Sequence, residues 1–335
     1  MSNITNNFDN LPEELVEVTG IQKPRPVKEF LQSYYKTLGD GKQELLGIRT
    51  GIEELDRKTL GLDGLMVLGG IAGQGKTSLA LQIAFSVCEL ETPAIFYSLE
   101  MSRRAILTKI LSRLALVKYE DIILKGRYYL DETVQYKNLL NEEIEFNRLL
   151  SKDQINGLNN AKERLNKASD KFYLRTRENQ EPDINLESVE QEINLVKAEH
   201  GTDKVMVVID HLQVFNLENY KDQIDKENKL ITGFKGISER TGAAILLISQ
   251  KNKAGFTTRG LQTIKGSVDI VYLADIVMFL EKENNGNDLD TVIASYGNTN
   301  NRQIDLIIDK NRYNAPGKIE LDFNGEYSSF TVRRK

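Results

Sequence analysis

Cysteine and histidine are almost absent from this sequence, which has one cysteine and two histidines among its 335 residues. The single cysteine, Cys88, cannot form a disulfide within the chain, and two histidines with one cysteine cannot build a Cys/His zinc site. No stretch approaches the roughly 18 to 20 consecutive apolar residues that a membrane span needs. The amino terminus, MSNITNNFDN, lacks the basic and apolar regions of a signal peptide. These absences predict a cytoplasmic protein that does not enter a membrane.

An excess of positive charge is also missing, because the formal net charge is -5. This value argues against a generally basic surface that coats nucleic acid, although a local basic channel is compatible with it. The length suits one large α/β domain with extra helices or two small domains.

The residues between positions 65 and 83 follow the order of strand, glycine-rich loop and helix. An apolar run from Leu65 to Leu68 leads into GGIAGQGKT, and a segment with helical apolar periodicity follows at once. The spacing G-x-x-x-x-G-K-T suits a loop whose backbone N–H groups turn toward a phosphate, beside the positive end of a helix. It predicts Lys76 on the β- and γ-phosphates of a nucleotide and the Thr77 hydroxyl on Mg²⁺. The nucleotide-binding candidates are Gly70, Gly73, Gln74, Gly75, Lys76, Thr77 and Ser78.

Three further apolar runs end in polar side chains that a nucleotide would meet. Glu100 follows the predicted strand Ala94 to Ser98, and Asp210 and Gln250 end two other buried runs. Ligands of an open parallel sheet bind outside the carboxyl ends of its strands. Asp210 is the kind of acid that orders Mg²⁺ in phosphate-loop enzymes, whereas Gln250 either contacts the γ-phosphate or caps a loop. From position alone, Glu100 is either the general base for an attacking water or a charge at the start of the next helix.

Cations are concentrated at two places in the second half of the chain. One glycine-containing loop carries Lys251, Lys253, Arg259 and Lys265. Such a loop suits contact with a nucleic-acid backbone, and equally an ordinary solvated surface. Further on, Lys310 and Arg312 are predicted to follow a strand from Ile304 to Ile308, on a turn that contains Pro316 and Gly317. Their spacing points both side chains to one side if the backbone stays extended.

Composition divides the chain into three parts. Residues 1–26 are a polar, acidic tail, residues 27–44 are a linker helix and a linker, and residues 45–335 form one α/β domain with a helical elaboration at about 126–170. The linker helix is predicted at residues 27–38 from the helical spacing of Val27, Phe30, Leu31, Tyr34 and Leu38. Its apolar stripe docks either on its own domain or on a neighbouring subunit.

A series of motifs carries a family resemblance. In order, they are GIRTGIEELDRKT, GQGKTSLALQIA, FYSLEMS, VVIDHLQVF, AAILLISQKNK, KGSVDIVYLADIVMFL and IIDKNRYNAPGKIEL. From about residue 27 to about residue 330, the chain resembles the RecA-like motor domain of DnaB-type hexameric replicative helicases. SLEMS and DHLQ are the most specific of these motifs. The resemblance implies an α/β fold with a RecA-like P-loop ATPase core, in which a mainly parallel sheet is flanked by helices and extended by antiparallel C-terminal strands.

The resemblance also implies roles for individual residues. Lys76 and Thr77 match the phosphate and Mg²⁺ ligands, Glu100 matches the catalytic base, Asp210 matches the second acid at the Mg²⁺ site, and Gln250 matches the γ-phosphate sensor. Lys310 and Arg312 match a Lys-x-Arg pair that the family inserts into the neighbour's active site. The implied ligands are ATP, Mg²⁺ and single-stranded DNA. The implied partners are further copies in a hexameric ring, with the linker helix docked on a neighbour, and a primase or helicase loader.

Three departures keep other functions open. About 26 residues precede the linker helix, so we expect the family's N-terminal collar domain to be missing. The loop GIAGQGKT is closer to RadA and KaiC relatives, and Lys265-Gly-Ser replaces the more usual Ser-Gly-Ser. The competing hypotheses are a RadA- or KaiC-like regulatory or recombination ATPase and an ATP-dependent interaction module that does not unwind DNA.

Overall fold

The computed structural model describes residues 25–39, 45–125, 150–178, 184–250, 272–282 and 301–333. The DNA-binding candidates Lys251, Lys253, Arg259 and Lys265 lie outside the described residues, as do most of the tail and residues 126–149 of the expected helical elaboration. The chain divides into two units, residues 1–44 and residues 45–335.

The first unit contributes one described helix, α1 (Lys28–Gly39), where the sequence predicts the linker helix. The side chains of Phe30 and Tyr34 on its apolar stripe are about half exposed, at 49% and 56%. The expectation that this stripe docks on a neighbouring subunit stays a prediction.

The second unit alternates helices and strands. Its helices are α2 (Glu53–Thr59), α3 (Lys76–Glu89), α4 (Arg103–Ala115), α5 (Tyr119–Lys125), α6 (Lys152–Ala168), α7 (Leu186–His200) and α8 (Gln223–Thr241), with a 3₁₀ turn at Leu212–Val214. Its strands are β1 (Leu65–Gly70), β2 (Ala94–Ser98), β3 (Phe172–Thr176), β4 (Met206–Asp210), β5 (Ala244–Gln250), β6 (Ile276–Lys282), β7 (Asn301–Asn311), β8 (Gly317–Asn324) and β9 (Ser329–Val332). Among the described helices, none has the length and apolar character to cross a bilayer.

All nine described strands form one sheet, in the order β3-β2-β4-β5-β1-β6-β7-β8-β9. The pairs from β3 to β6 are parallel, whereas β7, β8 and β9 add antiparallel neighbours at one side. Strands β1, β2 and β4 are buried along their whole length, as expected of parallel strands that are covered on both faces. In β8, buried and less buried residues alternate, so this extension has one core face. The predicted fold class is confirmed.

Alternate side chains of the parallel strands enter two different cores. Met66 and Leu68 of β1 pack in the layer that contains α3 and α4, while Leu65 and Val67 pack in the layer that contains α7 and α8. Successive side chains of a strand point to opposite faces of the sheet, so helices cover both faces. The carboxyl edge of the parallel strands is left accessible between these layers.

The placement of Lys310 on a turn is wrong. Strand β7 continues to Asn311, and Lys310 pairs with Val277 of β6, so Lys310 is a strand residue and Arg312 follows the strand directly. The strand is longer than its apolar run because ladder pairing with β6 continues after the last aliphatic residue. The extended backbone does direct both side chains to the segment before β6, since Lys310 Nζ donates to Ala274 O and Arg312 Nη1 donates to Asp275 Oδ1.

Candidate active site

Four neighbouring strands end at the same edge of the sheet, and a predicted site residue lies at the end of each strand or, for Glu100, two residues beyond it. In register, Gly70 at the end of β1 lies opposite Gln250 of β5, and Ser98 of β2 lies opposite Asp210 of β4. Their carboxyl ends therefore bring residues distant in sequence to one cleft of about 450 Å³. Of the sequence candidates, Gly73, Gly75, Lys76, Thr77, Ser78, Glu100, Asp210 and Gln250 line this space, which we call the nucleotide cleft.

The glycine-rich loop has the shape that an anion requires. Gly73 and Gly75 have φ of +78° and +88°, in the left-handed region that glycine adopts without steric cost. Gln74 closes the loop by accepting a hydrogen bond from Ile71 N through Oε1 at 2.9 Å. Helix α3 begins at Lys76 without a side-chain N-cap, so its first N–H groups and its dipole face the cleft. The ammonium group of the buried Lys76 donates hydrogen bonds to the carbonyl oxygens of Gly70 and Ile71, each at 2.8 Å.

Asp210 and Thr77 form a pair suited to a hard cation. Asp210 is buried, and this burial raises the pKa of its carboxyl to about 6, with the nearby Glu100 charge acting in the same direction. A hydrogen bond from the Thr77 hydroxyl and the charge of Lys76 oppose that shift. A carboxylate and a hydroxyl at the foot of a phosphate loop are the oxygen donors that Mg²⁺ prefers. Within the described ranges, no cluster of three or more His, Cys, Asp or Glu could hold a metal by itself, so phosphate oxygens would complete the site.

Glu100 lies at the mouth of the nucleotide cleft, where its side chain is 50% exposed. Helix α4 is capped instead by Ser102, whose side chain accepts from Ala105 N, and by Glu178, whose carboxylate accepts from Arg103 N. Among the described residues, the hydrogen bonds at the start of α4 come from Ser102 and Glu178, so they give no support to Glu100 as a charge that serves this helix. What the Glu100 carboxylate does approach is His211, with Oε2 3.3 Å from Nδ1 of the buried imidazole. Burial lowers the pKa of His211, while attraction to Glu100 raises it.

Gln250 is exposed at the end of β5 and is held by Gln213 of the DHLQ motif, a residue for which the sequence alone indicated no role. Gln213, in the 3₁₀ turn after β4, accepts from Gln250 N through Oε1 at 3.4 Å and donates from Nε2 to Ser249 Oγ at 3.0 Å. The turn after Asp210 is thus tied to the end of β5.

Two cations of the cleft also escaped the sequence interpretation. Lys109 on α4 places Nζ 3.2 Å from Ser328 Oγ, and burial lowers its pKa against the attraction of Asp210. Arg302 on β7 donates from Nη1 to Gly73 O at 3.1 Å, and its guanidinium lies 5.0 Å from the centre of the Phe323 ring. No motif spacing marks either residue, because α4 and β7 reach the cleft only through the tertiary fold.

Gly75, the last glycine of the phosphate loop, packs against side chains of the C-terminal strands. A Cβ built on Gly75 would lie 2.8 Å from Phe330 and 3.1 Å from Phe323, whose rings stack with centroids 4.4 Å apart. The phosphate loop is therefore backed by β8 and β9. The antiparallel extension is part of the cleft and not only an edge of the sheet.

Comparison with known proteins agrees with this architecture. Residues 47–332 match the family described as the DnaB-like helicase C-terminal domain. The chain belongs to this family. It is 23% identical to the replicative DNA helicase DnaB of Rickettsia felis over 96% of its own length, and 24% identical to that of Haemophilus influenzae over 93%. It spans 64% and 62% of the lengths of these two relatives, which is less than two thirds.

Solved structures show the same RecA-like fold. An ATPase domain superposes with a TM-score of 0.73 at 18% identity, covering 93% of this chain and 100% of that chain. A DnaB-like replicative helicase, solved in a study of its interactions with primase, superposes with a TM-score of 0.69 at 17% identity over 95% of this chain and 70% of the other.

In this DnaB-like domain, Lys310 and Arg312 lie away from the nucleotide cleft of their own chain. Strand β7 runs antiparallel to β6, and Asn311 at its end pairs with Ile276, which in turn pairs with Met66 near the start of β1. The phosphate loop begins after Gly70, at the other end of β1. At about 3.3 Å per residue, the strand separates the two places by about 13 Å. The structure therefore places the Lys-x-Arg pair at the edge of the sheet opposite its own cleft.

Proposed function

We propose that this chain is the motor subunit of a ring-shaped DnaB-like helicase, which hydrolyses ATP to move along single-stranded DNA and separate a duplex in DNA replication. The observation that carries the proposal is the separation of the site into two halves. One edge of the sheet holds the phosphate loop and both acids, and the opposite edge holds Lys310 and Arg312. In a ring of such subunits, this separation would bring Lys310 and Arg312 to a neighbour's nucleotide and not to their own.

The proposed reaction is attack of water on the γ-phosphate. Lys76 and the N–H groups of the phosphate loop hold the phosphates, Glu100 accepts the proton of the attacking water, and Gln250 contacts the γ-phosphate. Mg²⁺, held by Thr77 and Asp210, would neutralise charge on the phosphate oxygens. Because Glu100 is half exposed and does not cap α4, its carboxylate can meet a water at the mouth of the cleft while it stays beside His211.

The second half of the proposed site comes from the next subunit. Arg312 and Lys310 of a neighbour would stabilise the negative charge that develops during phosphoryl transfer, as an arginine finger does. Hydrolysis then depends on assembly. A hexameric ring with α1 docked on an adjacent subunit is the assembly that we propose, and release of the finger after each hydrolysis would shift one subunit against the next.

DNA and protein partners belong to the same proposal. Lys251, Lys253, Arg259 and Lys265 would hold the backbone of one DNA strand inside the ring, without sequence preference and with affinity that falls as salt rises. A primase or a helicase loader is the proposed protein partner. The cytoplasm is the compartment where we propose that the protein acts.

The test is to compare ATP turnover with unwinding. We expect single-stranded DNA to stimulate ATP hydrolysis and the same preparation to unwind a forked duplex. Glu100→Gln should still bind ATP but lose turnover by about 10²- to 10⁴-fold, because the amide cannot accept the proton. Glu53→Gln is a matched surface control, since this glutamate lies on α2, its side chain is 90% exposed and it is not among the residues that line the cleft. Stimulated ATPase without unwinding would refute the helicase proposal.

A further inference from the structure

One buried carboxylate holds Arg312. Asp275 lies just before β6, and its side chain is 2% exposed. Its Oδ1 accepts from Arg312 Nη1 at 2.6 Å, and its Oδ2 accepts from Leu65 N at 2.8 Å and from Lys235 Nζ at 2.8 Å. The same carboxylate thus contacts the residue after β7, the first residue of β1 and a side chain of α8.

The backbone reinforces these contacts. Asp275 N donates to Leu65 O at 2.7 Å, and Arg312 N donates to Asp275 O at 2.9 Å. Space beside the carboxylate is minimal, because a Cβ built on Gly64 would lie 2.2 Å from Asp275 Oδ2. Asp275 is therefore fixed on both its main chain and its side chain. The Arg312 guanidinium, which is bonded to this carboxylate, is therefore held in one position.

Three cations lie around the buried Asp275 carboxylate. Lys235, Lys310 and Arg312 are all close enough to influence one another, and burial together with the Arg312 charge lowers the pKa of Lys310. Asp275 is the buried anion of this group, while Glu239, 3.4 Å from Lys235 Nζ, is largely exposed. Without the Asp275 charge, Lys235 and Arg312 would repel each other. Because the Arg312 side chain is 48% exposed, such repulsion would move it into solvent.

We propose that Asp275 is the positioning residue for Arg312, and that it joins this finger to the start of the strand that carries the phosphate loop of the same subunit. The proposal rests on the proposed function, in which Arg312 acts on a neighbour's ATP. Strand β1 has Asp275 at one end and the phosphate loop at the other. A subunit's own nucleotide site and the finger that it lends are therefore attached to opposite ends of one short strand.

The first experiment removes the charge of Asp275 with little change in side-chain volume. In Asp275→Asn, the amide oxygen can still accept from Leu65 N, but the ion pairs with Arg312 and Lys235 are lost. We expect the kcat of DNA-stimulated ATP hydrolysis to fall about 10²-fold, as for a misplaced catalytic group, with KM for ATP within about twofold of wild type. Arg312→Ala should lower kcat at least as much, and the double variant should be no slower than Arg312→Ala. Unchanged kcat in Asp275→Asn would overturn the proposal.

A second variant separates positioning from folding. Asp275→Asn combined with Lys235→Met also removes the Lys235 cation, which has lost its buried carboxylate partner, so we expect the melting temperature to return toward that of wild type. The kcat should stay low, because Arg312 still has no carboxylate to hold it. If the double variant recovers wild-type kcat, Asp275 only balances the charge of Lys235 and the proposal is wrong.

Mixed oligomers then locate the defect. Lys76→Ala subunits lack a working phosphate loop but retain Asp275 and Arg312, so they can lend a sound finger. Mixing them with Asp275→Asn subunits should restore ATP turnover above that of either variant alone. If Lys76→Ala subunits restore ATP turnover when mixed with Arg312→Ala subunits but not when mixed with Asp275→Asn subunits, the proposed role of Asp275 is wrong. The proposal of a site shared between subunits would still hold. No recovery with either would refute the shared site itself.

Discussion

Replacing Asp210 by asparagine should stabilise the metal-free protein while abolishing its activity. Asp210 is 4% exposed at the end of β4, and burial raises the pKa of its carboxyl from 3.8 to about 6. Asparagine has nearly the same shape and can still accept a hydrogen bond from the Thr77 hydroxyl. It carries no charge that must be removed from water.

The size of the effect follows from the pKa difference. One pKa unit corresponds to about 1.4 kcal/mol, so a rise of about two units means that the ionised carboxylate costs the folded state about 3 kcal/mol at neutral pH. Because the folded state binds the proton more tightly than the unfolded state, stability falls as pH rises from about 4 to about 6. Above pH 6 the full cost is present, and near pH 4 most of it has gone.

Urea unfolding at several pH values, with a chelator to remove divalent cations, measures this cost. We expect Asp210→Asn to be more stable than wild type by about 1–3 kcal/mol at pH 7.5, and the difference to fall below about 1 kcal/mol at pH 4. Asp203→Asn is the matched control, since its carboxylate is fully exposed and should change stability little at either pH. Added Mg²⁺ and ATP should stabilise wild type more than Asp210→Asn. Equal or lower stability of Asp210→Asn at pH 7.5 would refute the reasoning.

Three further substitutions test the cleft and the finger. Gly75→Ala should destabilise the protein by about 1–3 kcal/mol and weaken ATP binding, because φ is +88° and the new Cβ would lie 2.8 Å from Phe330; normal urea unfolding would contradict it. Lys109→Met should raise KM for ATP about tenfold, because it removes a partly buried cation from the cleft. The melting temperature should not fall. An unchanged KM would contradict the expectation that Lys109 contacts the phosphates of ATP. Arg312→Lys should retain less than about a tenth of wild-type kcat, because lysine cannot present two parallel donors to a phosphate; wild-type turnover would exclude Arg312 as the finger.

Sequence patterns predicted most of the secondary structure, because each element carries its own local signals. Strand β2 has the predicted bounds, Ala94 to Ser98, and Gly201 ends α7 in the left-handed conformation that glycine adopts at a helix C-terminus. The error at Lys310 has a physical reason. Local hydrophobicity ended at Ile308, whereas pairing with β6 kept the chain extended to Asn311.

By itself, the sequence determined the phosphate loop, the two acids at strand ends and the family resemblance, because these features depend on residue type and short spacing. Only the tertiary structure decided what surrounds them. Parallel register brings Gln250 beside the loop, and the C-terminal strands bring Arg302 to the Gly73 carbonyl. Asp275 meets Leu65 across 210 positions of sequence, a contact that no local pattern records. Residues meet in this way because strands from distant parts of the chain share one sheet, and the same sheet places Arg312 at the edge opposite its own nucleotide cleft.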